Sequence, residues 1–128
     1  MGDKIPRPTD AELAILAVLW QRGPSTVREV HDALSSTHDT GYTTVLKLLQ
    51  IMTDKGLVDR DESARAHIYE TRYSEQRTQR QLLGDLIDRA FRGSPAQLVM
   101  QALSATRASA EELTAIRQLL ERMEGDAK

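Results

Sequence analysis

The stretch TGYTTVLKLLQIMTDKGLVDRDESARAHIYE, residues 40–70, decides the fold. Its first half has apolar residues that fall on one side of a helix at about 100° per residue. These residues are Val45, Leu48, Leu49 and Met52. Gly56 follows them where a glycine often ends a helix in the left-handed conformation. Two strand-like segments come next, residues 57–60 and 67–70, joined by a charged loop. The stretch therefore predicts a helix followed by a β-hairpin.

Two further helices are predicted before this stretch. Thr9 and Glu12 fit a capping box, in which each side chain bonds the other residue's backbone N–H, and an apolar-rich run follows until a Gly-Pro pair. Thr26 and Glu29 fit a second capping box, which opens a short helix with apolar residues at helical spacing. Three helices followed by a hairpin within residues 1–72 predict a winged helix-turn-helix.

The third predicted helix carries polar groups on the side opposite its apolar residues. They are Thr43, Lys47, Gln50 and Asp54. Thr, Lys and Gln side chains can reach base edges or phosphates, although a solvated polar face is common on any surface helix. The two preceding helices and the following hairpin favour DNA binding. In that arrangement the third helix enters the major groove, and the hairpin lies beside it as a wing.

Six short strings, taken in order and spacing, are similar to a known family. They are TVREVH at 26–31, YTTV at 42–45, KGLV at 55–58, RAHIY at 65–69, FRGS at 91–94 and SAEEL at 109–113. Together they resemble the penicillinase-repressor family, also called the BlaI/MecI/CopY group, over nearly the whole chain. The resemblance implies a homodimeric bacterial repressor. Such a protein binds a palindromic operator through its winged helix and pairs through its C-terminal helices.

The resemblance also implies which residues contact DNA. Positions at the start of the third helix and in the wing match the family, and Gln50 joins them from the outward face of the helix. The candidate DNA-binding residues are Tyr42, Thr43, Thr44, Lys47, Gln50, Arg60, Arg65 and His67. Arg65 lies near the tip of the hairpin. It is either a solvated charge or a contact with phosphate or a narrow minor groove, and both alternatives stay open.

The second half of the chain, residues 73–128, predicts three more helices with one apolar stripe each. Ser94 is a candidate cap for the second of them, with Pro95 in its first turn. Three short amphipathic helices make a poor closed core. We therefore expect a second copy of the chain to cover them, in a twofold dimer that matches palindromic DNA. The alternative is a monomer in which these helices pack back on their own winged helix.

The expected fold is mainly α with a small β-hairpin wing. We expect a DNA-binding winged helix-turn-helix at residues 1–72 and a helical dimerisation domain at residues 73–128. The candidate dimerisation residues are Leu82, Leu86, Phe91, Leu98, Leu103, Leu113, Ile116 and Leu120.

The charge balance shows no basic excess. The chain has 17 Lys and Arg against 19 Asp and Glu, and residues 1–72 have nine against eleven. Affinity for DNA depends on where cations touch phosphates, so this balance does not exclude DNA binding. A repressor with so modest a charge should bind nonspecific DNA weakly and depend on dimerisation for its affinity for the operator. The absence of cysteine excludes disulfides, thiolate metal sites and a cysteine nucleophile. No apolar run can span a bilayer and residues 1–8 lack a signal-peptide pattern, so we expect a cytoplasmic protein.

No catalytic or cofactor motif is present in the sequence. The chain lacks a nucleophile elbow, a phosphate-cradling glycine loop and a zinc-protease motif. Its histidines, His31, His38 and His67, lack the spacing of metal ligands. We therefore expect no cofactor, no metal and no enzymatic activity. The main alternative to a repressor is a winged-helix protein interaction module without DNA binding, and a small enzyme is the third class.

Two departures limit what the resemblance implies about signalling. Family members that proteolysis releases from DNA have an Asn-Phe bond in the helix after the Gly-Ser pair, whereas this chain has LVMQA at 98–102. The resemblance therefore does not carry cleavage over to this chain. Copper-responsive members have a C-terminal cysteine cluster, and its absence here excludes copper sensing of that kind. An upstream sensor protein is an expected partner that the sequence does not identify.

Overall fold

The computed structural model describes residues 4–127, and its elements follow the expected order. The helices are α1 (Asp10–Arg22), α2 (Val27–Leu34), α3 (Tyr42–Lys55), α4 (Glu75–Ala90), α5 (Pro95–Ala105) and α6 (Ala110–Asp126). The strands are β1 (Ser25–Thr26), β2 (Val58–Asp61) and β3 (Ile68–Thr71). We call β2, β3 and the loop between them the wing. The predicted fold class, mainly α with a winged helix-turn-helix and a small β-hairpin, is confirmed.

The strand β1 is the element that the sequence did not predict. Two residues are too few to show the alternation of a strand. β1 pairs antiparallel with β3, with Ser25 opposite Tyr69 and Thr26 opposite Ile68, and the sheet order is β1-β3-β2. Because α2 begins directly after β1, this pairing ties the start of α2 to the wing.

Both predicted capping boxes are present in the first half of the chain. At α1 the Glu12 N–H donates to Thr9 Oγ1 at 3.2 Å, and the Thr9 N–H donates to Glu12 Oε1 at 2.8 Å. The same two bonds join Thr26 and Glu29 at α2, at 3.2 and 2.9 Å. Each box satisfies two backbone N–H groups at a helix start. At the end of α3, Gly56 has a φ of 88°, the left-handed conformation expected of it.

The first three helices and the wing share one apolar core. Val45, Leu49 and Met52 of α3 are fully buried as predicted, whereas Leu48 is half-buried. Leu48 lies about 60° from Val45 around the helix, so it falls on the flank of the buried stripe. The other buried apolar residues of the core are Ile5, Ile15, Leu16, Leu19, Val27, Val30, Leu34, Leu57, Val58 and Tyr69.

A partly buried ion pair joins the start of α1 to the end of α3. The Lys55 ammonium donates to Glu12 Oε1 at 2.6 Å and to the Arg7 carbonyl at 3.1 Å, and the Glu12 side chain is only 2% exposed. Burial alone would raise the pKa of Glu12. The hydrogen bonds from Lys55 and from the Thr9 backbone outweigh that effect, so the pKa of Glu12 lies below its ordinary value.

The chain divides into two compact units, of which the first ends at Gly84. The first half of α4 belongs to this unit because it is tied to residues near the N-terminus. The Ile5 N–H donates to Gln81 Oε1 at 2.8 Å, and Gln81 Nε2 donates back to the Ile5 carbonyl. Thr78 is 2% exposed, and the Trp20 indole N–H donates to the Tyr73 carbonyl at 3.1 Å. The compact unit thus extends beyond the expected boundary at residue 72.

The second unit starts at Asp85 and contains the rest of α4 with α5 and α6. Ser94 caps α5 as predicted, accepting from the Gln97 N–H at 3.2 Å, and Pro95 follows it. No side chain within residues 85–127 is fully buried. Large apolar side chains are exposed along all three helical segments, among them Leu86 at 48%, Leu120 at 51% and Met123 at 58%. None of the helices in residues 4–127 is long and apolar enough to cross a lipid bilayer.

Candidate nucleic-acid interface

The outward side of α3 is mostly polar. Its exposed residues include Tyr42, Thr43, Thr44, Lys47 and Gln50, all of which the sequence placed among the candidate DNA contacts. Ile51 and Asp54 are exposed beside them. The opposite side of the helix is buried in the core, so packing fixes which face α3 presents. A helix held in this way can offer hydroxyl, amide and ammonium groups to base edges.

Tyr42, the first residue of α3, is held by two side chains of α2. The Arg28 guanidinium carbon lies 4.7 Å from the centroid of the Tyr42 ring, which is cation–π distance. The His31 ring meets the same ring edge-on, with centroids 6.1 Å apart and an interplanar angle of 64°. His31 Nδ1 in turn lies 3.1 Å from Asp32 Oδ1. Sequence reasoning missed Arg28, whose only signal was its place outside the apolar face of α2.

The wing places its predicted residues in two different settings. Arg65 and His67 are exposed in the loop between β2 and β3. Arg60 lies on β2 opposite Tyr69, and its Nε is 3.1 Å from Glu62 Oε1. That carboxylate offsets part of the charge that Arg60 would offer to DNA.

A hydrogen bond shapes the start of the wing loop. The Ser63 N–H donates to Asp61 Oδ1 at 2.9 Å. Hydrogen bonds from Ser63 lower the pKa of Asp61 below its ordinary value, so this carboxylate stays ionised as the loop's acceptor.

The base of the wing is held by a second charged contact. Arg72 donates to Asp59 Oδ1 through Nε at 3.0 Å and through Nη2 at 2.7 Å. The hydrogen bond with Asp59 and its charge raise the pKa of Arg72 further above its already high ordinary value. A Cβ at Gly56 would approach Arg72 Nη1 to 2.8 Å, so the glycine leaves room for this guanidinium beside the end of α3. Arg72 therefore fixes the wing where it leaves the core.

A groove of about 250 Å³ separates α2 and α3 from the wing loop. It brings together three predicted residues, Tyr42, Arg65 and His67, with Arg28 and Thr26 of the α2 start. The other five candidate DNA-binding residues do not line it. They are Thr43, Thr44, Lys47, Gln50 and Arg60.

Four cations of the winged helix are neutralised by acids of the same chain: Arg22 with Glu29 at 3.3 Å, Lys55 with Glu12, Arg60 with Glu62 and Arg72 with Asp59. Three others, Arg28, Lys47 and Arg65, make no ion pair with any described residue. Although acids outnumber bases in residues 1–72, α3 and the wing loop therefore still present unpaired positive charges, on Lys47 and Arg65.

The histidines are dispersed over the part of the chain that the structure describes. His38 shares a hydrogen bond of 2.8 Å with Thr37 Oγ1, and His67 lies in the wing loop far along the chain from His31. Among residues 4–127, no three His, Asp or Glu side chains come together as the ligands of a metal ion would.

A three-helix core, an outward polar α3 and a hairpin wing with the unpaired Arg65 in its loop define a winged helix-turn-helix, a class of nucleic-acid-binding domain. The penicillinase repressor family matches residues 8–122 of the chain. Transcriptional regulator BlaI of Mycobacterium tuberculosis (strain ATCC 25618 / H37Rv) is 34% identical over 122 residues, which are 94% of this chain and 88% of that protein. The chain belongs to the penicillinase repressor family.

Two proteins of Bacillus licheniformis extend the comparison. The penicillinase repressor is 26% identical over 118 residues, covering 92% of each chain. The solution structure of monomeric BlaI in complex with the blaP half-operator has a TM-score of 0.50 and 29% identity, covering 57% of this chain and 89% of that chain. The predicted family is thereby confirmed. The 57% of this chain that the BlaI structure covers is close to the fraction of the chain that the winged helix occupies.

Proposed function

We propose that this protein is a transcriptional repressor that binds operator DNA sequence-specifically as a homodimer. The observation that carries the proposal is the outward polar face of α3 beside a wing loop that holds the unpaired Arg65. Membership of the family and the half-operator complex of the B. licheniformis relative support the same assignment. A partner that is chromosomal DNA also implies a cytoplasmic location. The family is one of transcriptional regulators, so we expect no enzymatic activity.

In the proposed complex α3 lies in the major groove. Thr43, Lys47 and Gln50 contact base edges or adjacent phosphates from its exposed face. The wing lies beside the neighbouring backbone and contributes Arg65 and His67. Arg60, whose charge Glu62 offsets, contributes less than Arg65.

The second compact unit is proposed to form the dimer. Its helices bury no side chain completely within residues 85–127, and their exposed leucines and methionines have no cover within the unit. A second copy of the same helices can remove this surface from water around a twofold axis. The axis also suits a palindromic operator, whose half-sites are spaced by about one helical turn, roughly 34–36 Å.

The dimer proposal keeps the eight residues selected from the sequence, seven of which lie in the second compact unit. Leu86, Leu103, Leu113 and Leu120 are among the exposed large apolar residues, while Leu82, Phe91, Leu98 and Ile116 are half-buried. Leu82 precedes Asp85 and so belongs to the first compact unit. We propose a DNA-binding unit that extends to Gly84, and a dimerisation unit that follows it.

Selection from a random pool of duplexes by the full-length protein tests this function. The expected product is a sequence with twofold symmetry, bound by two chains per duplex, with affinity that falls steeply as salt rises. A scrambled duplex of equal length serves as the control and should bind much more weakly. Failure to enrich any sequence, together with no salt-dependent binding to either duplex, would indicate a winged-helix protein interaction module instead.

A further inference from the structure

The groove between α2, α3 and the wing loop has two kinds of surface. Its apolar floor is formed by the buried Val27 and Tyr69 with the half-buried Leu46, and the exposed Ala66 also lines it. Its rim carries two arginines and a histidine, which come from two separate parts of the fold. Arg28 comes from α2, whereas Arg65 and His67 come from the wing loop.

The electrostatics of this rim favour an anion. No Asp or Glu lines the groove, and neither arginine forms an ion pair within the described residues. Arg60 of the wing and Arg72 directly after it each have a carboxylate within 3.1 Å. Two guanidinium groups without a carboxylate partner line the same groove, and an anion that binds there is attracted by both of them.

The position of Arg28 is restricted before any ligand binds. Its guanidinium carbon lies over the Tyr42 ring, 4.7 Å from the centroid, and His31 contacts the same ring edge-on. A planar guanidinium held by stacking loses less conformational freedom when it forms hydrogen bonds to an anion. Arg28 is therefore better prepared for a fixed contact than a freely rotating surface cation.

We propose that this groove binds one sugar–phosphate unit of the operator backbone. Arg28 and Arg65 hold the phosphate, and the apolar floor packs against the deoxyribose. The inference rests on the proposed function, because it assumes that DNA is the partner. With α3 in the major groove and the wing beside it, a backbone strand has to pass between the two, which is where the groove lies.

The proposed contact gives Arg28 a role different from that of Lys47. A phosphate contact is independent of sequence, so Arg28 contributes affinity and register rather than discrimination between bases. Lys47, on the exposed face of α3 outside the groove, is placed for base edges instead. Substitution of Arg28 should thus weaken the selected and the scrambled duplex by similar factors.

The test uses the full-length protein and the selected duplex, about 30 base pairs long so that it holds two half-sites. Arg28→Ala is compared with Arg28→Lys and with Arg80→Ala, which removes an exposed arginine of α4 that does not line the groove. Each variant is titrated by fluorescence anisotropy at several salt concentrations. A series of duplexes, each with one symmetry-related pair of phosphates replaced by neutral methylphosphonates, is titrated in parallel.

Arg28→Ala should reduce the salt slope by about one per subunit, hence by about two for the homodimer. At one position of the series, the methylphosphonate pair should weaken wild-type binding by about tenfold per subunit, hence about a hundredfold for the homodimer, since one charge-assisted hydrogen bond is lost in each half-site. The same pair should have little further effect on Arg28→Ala, which has already lost the contact. Arg28→Lys should keep the salt slope and lose part of the affinity, because it retains the charge without the planar fork. Arg80→Ala should behave as the wild type throughout.

Three results would overturn the proposal. One is a folded Arg28→Ala with the wild-type salt slope, and another is a methylphosphonate profile that Arg28→Ala leaves unchanged at every position. The third concerns free anions. Inorganic phosphate at matched ionic strength is expected to displace the duplex no more than chloride does. If phosphate displaces the duplex more strongly than chloride, and Arg28→Ala abolishes the difference, the groove is a site for a small anion and the proposal is overturned. If the wild type binds no duplex at all, the proposed function itself fails, which is a separate outcome.

Discussion

The partly buried ion pair between Glu12 and Lys55 provides a quantitative test of what holds α3 in place. The Glu12 carboxylate accepts from Lys55 at 2.6 Å and from the Thr9 N–H at 2.8 Å. Glu12→Ala removes both bonds and should lower the free energy of unfolding by about 3 kcal/mol. The lost capping bond contributes about 1 kcal/mol of this and the bond to the charged Lys55 about 2 kcal/mol. Lys55 keeps the Arg7 carbonyl and is 30% exposed, so it is not left as an isolated buried charge. Glu12→Gln keeps a capping side chain and should cost only about 1 kcal/mol.

Urea unfolding followed by circular dichroism measures both variants. Glu29→Gln is the matched control, because Glu29 also closes a capping box and pairs with Arg22, but both partners are about half exposed, at 47% and 46%. An exposed ion pair of this kind contributes little to stability, so the free energy of unfolding of Glu29→Gln should remain close to that of the wild type. If Glu12→Gln is as stable as the wild type, or loses no more stability than Glu29→Gln does, then the burial of Glu12 does not make its ion pair more stabilising than an exposed one.

The same pair predicts how stability depends on pH. The folded protein holds the pKa of Glu12 below the ordinary value of 4.5 that applies in the unfolded chain. The contribution of Glu12 is therefore complete above about pH 4.5 and is lost as the pH falls through the lower pKa of the folded state. Glu12→Gln should remove this part of the acid dependence, and an identical pH profile for the variant and the wild type would contradict the reasoning.

Three further predictions concern DNA binding and assembly. Thr43→Ala and Lys47→Ala should each weaken operator binding by about 1 to 3 kcal/mol in anisotropy titrations while circular dichroism stays unchanged; unaltered affinity in both would refute the role of α3. A chain ending at Gly84 should fold as a monomer that binds a half-site weakly. A chain ending at Arg72 should be less stable in urea by about 2 to 3 kcal/mol, because it lacks three hydrogen bonds to residues 73–84. Equal stability of the two fragments would contradict the contacts of α4. Leu120→Glu should shift the full chain toward monomer in sedimentation equilibrium, because it puts a charge into the proposed apolar interface; an unchanged dimer would exclude that surface.

Local signals explain most of what the sequence predicted correctly. Capping boxes, a C-terminal glycine and apolar spacing act over a few residues, so the bounds of α1 and the buried face of α3 were accessible without a structure. The same holds for Ser94 and Pro95 at the start of α5. The proposed DNA contacts on α3 were accessible for the same reason, because the outward face of a helix follows from its buried face. Their contact with DNA stays a prediction.

Contacts between distant residues were not accessible from the sequence. Glu12 and Lys55 are 43 residues apart, and Gln81 and Ile5 are 76 apart, so no periodic pattern links them. Arg28 and Tyr42 meet only because α2 and α3 pack together. The groove, the extension of the first unit to Gly84 and the strand β1 all depend on such packing.

The single tryptophan of the chain lies at a position that makes it a natural spectroscopic reporter. The Trp20 indole N–H donates to the carbonyl of Tyr73, at the point where the wing leads into α4. If the first turn of α4 moved away from α1, water would replace that carbonyl, and the indole emission would shift to longer wavelengths. Stopped-flow fluorimetry of the unlabelled protein can therefore follow this junction in real time while DNA binds, with no second tryptophan to obscure the signal.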